Sequence, residues 1–162
     1  MTPHRSSRLW TVGTALLVII LIPSIPLADD AVPREAPIEP AAEFAYPDGS
    51  LGDIAEAFIE AFNTGDEDVI ADFYAARESE AALEKQSLNT QLYRYRSLYG
   101  LMGRLTPHSV LDLEDSMIVL LVRSEKRGTW FKVGLELEDG VPGKLSHHYL
   151  RPAPPPDMIG RL

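Results

Sequence analysis

Cysteine is absent from the 162-residue chain. That excludes a disulfide framework, a thiolate metal site and a cysteine nucleophile. Histidine is scarce: past residue 28 only His108, His147 and His148 occur. His147 and His148 are neighbours on a predicted strand, so their side chains point to opposite faces and do not converge on one ion. No metal and no cofactor is expected. Catalytic signatures are missing too. The chain has neither a G-x-S-x-G turn nor an S-x-x-K helix start, and "DGVPGK" at residues 139–144 lacks phosphate-loop spacing and lies between two predicted strands. No catalytic residue is assigned from motifs.

Acidic groups are missing from one region only. All 24 Asp and Glu residues follow Ala28, whereas Arg5 and Arg8 precede it. A chain cut after Ala28 carries 13 basic against 24 acidic groups, net −11. Such a polyanion repels nucleic acid and anionic headgroups, so neither is an expected partner. Residues 1–28 read as a targeting segment: a basic start, the apolar run "LWTVGTALLVIILI" and the small residue closing "PSIPLA". The expectation is export, periplasmic or extracellular. The rival is an uncut N-terminal anchor, the only membrane contact the sequence suggests, with Pro23 and Pro26 shortening its helix.

Residues 29–49 repeat Pro, Ala and Glu with little apolar periodicity and read as a linker. Residues 153–162 form a Pro-rich tail, whose consecutive prolines favour polyproline II. One domain remains, residues 50–152.

Within it, Leu51, Ile54, Ala55, Phe58, Ile59 and Phe62 make one helical stripe, with Ser50 as the expected N-cap. Gly65 stops that helix and Asp66 caps the next, which is expected to bury Val69, Ile70, Phe73 and Tyr74. A third, long helix runs from about Ser79 to Tyr99, with Gly100 ending it and Leu88, Leu92, Tyr95 and Tyr99 on its apolar face. The period then changes to two. Residues 101–113, 116–124, 129–138 and 144–151 read as four strands joined by short turns, hence an antiparallel meander. The fold class is α+β, three N-terminal helices packed on a curved four-stranded antiparallel sheet. The second strand is apolar on both faces, so its outer face needs cover. Trp130 and Gly134 on the third strand mark a candidate interface for a homodimer.

The order helix, helix, long helix, meander, with "FIEAFNTGDEDVIADFYA", resembles the nuclear transport factor 2-like superfamily. More narrowly, "FIEAFNTGD" at 58–66, "YRSLYGLMGRLT" at 95–106 and "LRPAPPP" at 150–156 are similar to the small domain found beside exported serine hydrolases of the beta-lactamase-like class. The resemblance implies a cone-like fold with a pocket, and in some relatives an Asp or His base beside a Tyr. His147 shares strand parity with Leu145 and Tyr149, so the candidate pocket-lining set is Tyr95, Tyr99, His147 and Tyr149. The functional expectation is an exported, non-catalytic binding or interaction module for a small apolar ligand. Two alternatives are a cofactor-independent isomerase or lyase with a pocket His or Asp as base, and an accessory subunit of a cell-envelope hydrolase.

Overall fold

A computed structural model describes residues 44–159. The targeting segment and most of the linker expected from the sequence lie outside those residues. The described chain is α+β: helices α1 (Ser50–Asn63), α2 (Glu67–Arg77), α3 (Glu80–Lys85) and α4 (Leu88–Met102), then strands β1 (Leu105–Leu113), β2 (Met117–Ser124), β3 (Trp130–Leu137) and β4 (Leu145–Ala153). The strands form one antiparallel sheet in the order β1-β2-β3-β4. Among the described residues no helix is long and apolar enough to cross a membrane.

The α1 stripe is buried as its spacing requires, and Phe58, Phe62 and Phe73 meet at centroid distances of 5.6–6.1 Å. The cap differs from expectation. Gly49 is the N-cap, and the helix is held instead by the chain folding back on it: a Cβ on Gly52 would stand 1.8 Å from the Pro47 carbonyl oxygen. Only glycine admits that approach. The end of the expected linker therefore belongs to the packed structure, with Phe44 and Tyr46 edge-to-face at 4.9 Å against the core.

At the α1–α2 turn, Gly65 has φ 72° and the Asp66 carboxylate accepts from the Asp68 N–H at 2.9 Å. In α2 the buried face is Ile70, Phe73 and Tyr74, whereas Val69 is 40% exposed. Val69 falls beside the stripe rather than on it.

The expected long helix is two helices. Ser79 caps α3 by accepting from the Ala82 N–H at 3.0 Å, and Ser87 caps α4 by accepting from the Thr90 N–H at 3.4 Å. Gly100 lies inside α4, which runs on to Gly103 at φ 68°. The first strand accordingly starts at Leu105, not Leu101.

In β2, Ile118, Leu120 and Val122 join the core under the helices, and Val119 and Leu121 are also buried, on the opposite face. The strand β4 breaks the expected parity. Glu136 pairs with His147 but Leu137 pairs with Leu145, so Ser146 is an extra residue, a β-bulge. The Ser146 hydroxyl meets the carbonyls of both Glu136 and Leu137, at 3.3 and 3.2 Å. Leu145 faces the core, His147 faces out, and His148 and Leu150 turn toward the helices. β4 runs on to Ala153, tolerating Pro152 at the sheet edge; Pro155 then has the polyproline II dihedrals expected of it, φ −57° and ψ 156°, and one 3₁₀ turn follows at Pro156–Met158.

The two α-helical positions separate core from surface in one measurement. Phe58→Ala should lower unfolding free energy by about 3–5 kcal/mol through lost transfer energy and a cavity, whereas Val69→Ala should change it by less than about 0.5 kcal/mol. Urea denaturation of both variants checks the assignment, and comparable losses would mean that α2 docks in another rotation.

Candidate functional site

The segment between α2 and α3 carries a carboxylate into the interior. Glu78 is anchored by its backbone to β4, pairing with Leu145, while the Ser79 N–H donates to the Leu145 carbonyl at 2.9 Å. Its side chain is 3% exposed. A charge taken that far out of water needs partners. Oε1 accepts from His148 Nδ1 at 2.8 Å, and Oε2 accepts from the side-chain amide of Gln91.

Each partner is fixed by its own surroundings. Gln91 sits on the inner face of α4, and its Nε2 also donates to the Gln86 carbonyl at 3.0 Å, which the break between α3 and α4 leaves in reach. The His148 ring stacks on Tyr74 at 5.0 Å and 19°, with Phe58 at 6.1 Å. Since a carboxylate only accepts, the Nδ1 proton points at Glu78, and in the neutral ring Nε2 carries the lone pair. Burial, then the Glu78 charge, pushes the Tyr74 phenol well above its ordinary range and keeps it neutral.

One atom is left over. Gln91 Oε1 is buried and has no hydrogen-bond partner among the described residues. Beside it are two small recesses. One of about 40 Å³ is lined by Phe58, Phe62, Tyr74, Gln91, Tyr95 and His148, and a second of about 60 Å³ borders Glu78, Gln86 and Gln91. At the rim of the first, Arg94 donates to the Gln86 side chain at 3.0 Å. The volumes suit water or the head of a ligand. A wider depression of about 600 Å³ is an open groove lined by Arg104, Arg123 and Glu125 and shares no lining residue with these recesses.

The residues nominated from the sequence are dispersed. Tyr95 lines the first recess and donates to the Phe62 carbonyl at 3.1 Å. Tyr99 instead packs over Gly65 and against Phe62. His147 borders the second recess but is itself exposed on the outer sheet face, 6.0 Å from Tyr149. The bulge at Ser146 is the reason, and His148 takes the inward place. Tyr149 borders the recess, yet its ring covers Gly134 on the outer face: a Cβ there would lie 2.2 Å from that ring. The close approach that Gly134 offers is thus used within the chain. Trp130 is half-buried on the same face, edge-on to His108 at 4.9 Å. The cluster of Glu78, Gln91 and His148 was not nominated. Glu78 reads as helix-cap charge beside Ser79, and Gln91 as one polar residue of a long helix.

No protein-family model, curated protein or solved structure matches the chain.

Alkaline titration tests the aromatic burial. The Tyr46 phenol is pushed up to about 12, first by burial and then by Glu56 and Glu60, and Tyr74 is raised as well. Above pH about 10 the unfolded chain loses these protons while the folded chain keeps them, so stability falls as pH rises. Tyr46→Phe should flatten part of that fall between pH about 10 and 12. An unchanged slope in denaturant melts across this window would show that Tyr46 is solvated.

Proposed function

We propose that the chain is an exported, non-catalytic binding module of the nuclear transport factor 2-like kind, and that its ligand site is the recess beside Gln91 and His148. The observation that carries this reading is the buried, unpartnered Oε1 of Gln91, a residue that lines a recess together with several aromatic rings. An orphaned carbonyl costs about 1–3 kcal/mol, which an incoming O–H or N–H donor recovers. The ligand is accordingly a small molecule with an apolar body and one donor group. Export is supported by the composition of residues 1–28, and the fold kind by helices preceding a four-stranded meander.

Phenol serves as the probe. Its titration should shift the backbone amide resonances of the residues lining the recess with a dissociation constant on the order of 1 mM, anisole, which lacks the donor, should do so at least tenfold more weakly, and Gln91→Leu should erase the difference. Equal responses to phenol and anisole would defeat the reading.

A second reading has an observation of its own: Glu78 orients His148 through Nδ1, the arrangement by which a carboxylate fixes a general base. In this reading His148 removes a proton from carbon in an isomerase or lyase, the part expected of His147. Deuterium exchange into a small ketone separates the two. Exchange above buffer that disappears in His148→Gln would favour the enzyme, and exchange at the buffer rate favours the module.

A further inference from the structure

The outer sheet face concentrates positive charge on an acidic chain. Arg123 on β2, Lys132 on β3 and Arg151 on β4 occupy adjacent strands, with register pairing Arg123 to Trp130 and Lys132 to Arg151. None of the three meets a carboxylate at ion-pair distance among the described residues. Both guanidiniums are held over aromatic rings, Arg123 at 5.8 Å from the Trp130 centroid and Arg151 at 4.7 Å from that of Tyr149. Stacking of this sort fixes the planar fork that binds a carboxylate through two hydrogen bonds.

The same contacts narrow the partner. Tyr149 has Gly134 against its ring and Arg151 over it, and Trp130 has Arg123 over it and His108 beside it. Neither ring offers a free platform for a sugar or a base. A net charge of −9, with Asp112 and Glu136 exposed toward the other end of the face, opposes long polyanions and anionic bilayers. Strand addition at the β1 edge is obstructed by two register irregularities and Pro107. The spacing fits a short strand laid on the face. Strands lie about 4.8 Å apart and same-face residues about 6.7 Å apart, so the Arg123 and Arg151 backbones stand about 12 Å from each other with Lys132 between. Carboxylates at three alternate positions of an extended peptide span about 13 Å.

We propose that this face docks an extended acidic segment of another protein, with Asp or Glu at alternate positions meeting Arg123, Lys132 and Arg151. This interaction is independent of the recess. The probe is a synthetic heptapeptide alternating Thr and Glu, titrated calorimetrically against the full chain, with its Thr and Gln counterpart as control. The Glu peptide should bind at least tenfold more tightly and weaken with added salt. Arg123→Gln and Arg151→Gln should each cost about tenfold, the Lys substitutions should lose less, and added phenol should change nothing, which keeps a failure of the recess separate from a failure of this surface. Both arginines are exposed, and unchanged melting temperatures would confirm folded variants. Equal affinity for both peptides overturns the proposal. So does tighter binding to heparin fragments or phosphatidylserine vesicles through the same arginines, and so does a dimer whose dissociation requires Arg123→Gln and that the peptide does not disturb.

Discussion

A single buried carboxylate fixes how the helices and the sheet edge meet. Glu78 enters the interior on the segment joining α2 to α3, and each of its oxygens is answered by a different element: His148 on β4 and Gln91 on α4. Burying a charge costs several kcal/mol before its partners are counted, so the carboxylate ties the positions of the three elements to one another. The helix break between Lys85 and Leu88 fits that demand. A continuous helix would spend the Gln86 carbonyl on a backbone N–H, whereas here it accepts from the Gln91 amide and steadies the donor that Glu78 requires. The aromatic rings of Tyr74 and Phe58 then close over His148. Apolar packing supplies most of the stability, but the polar cluster selects which packing forms.

Much of this fold is legible in the chain because its signals are local. The α1 stripe, the stop at Gly65, the cap at Asp66 and the change from period 3.6 to period two each lie within a few residues of their effect. Less local features are hidden. Nothing near Gln86 resembles a breaker, since neither Gly nor Pro occurs there, and the Ser87 cap resembles any serine on a wet helix face. Gly100 reads as a stop but lies in the last turn of α4, because the signal is glycine plus a chain that must turn, and the turn comes at Gly103. Val69 is apolar yet exposed, since the stripe is set by what α2 packs on.

The candidate site was less legible than the fold for one physical reason. Side-chain parity along a strand is a running count, and one extra residue inverts everything after it. Tyr95 falls on the buried face of α4 because that helix keeps an unbroken period. His147 and His148 exchange roles because the bulge at Ser146 precedes them. The doublet "SHHY" places a histidine inward in either register, so the sequence locates the strand position of a half-buried imidazole without saying which residue supplies it.

That bulge also links the two surfaces. With Ser146 displaced from the ladder and its hydroxyl engaged by the Glu136 and Leu137 carbonyls, His148 and Leu150 turn toward the helices while Tyr149 and Arg151 turn outward. A regular strand from Leu145 would reverse all four. Glu78 would then face His147, the phenol of Tyr149 would enter the core, and Gly134 would lose the ring that fills its missing side chain. Arg151 would leave the outer face, and the excess of positive charge there would disappear with it. The buried cluster and the basic sheet face are therefore two consequences of one extra residue, and neither can be changed in register without the other.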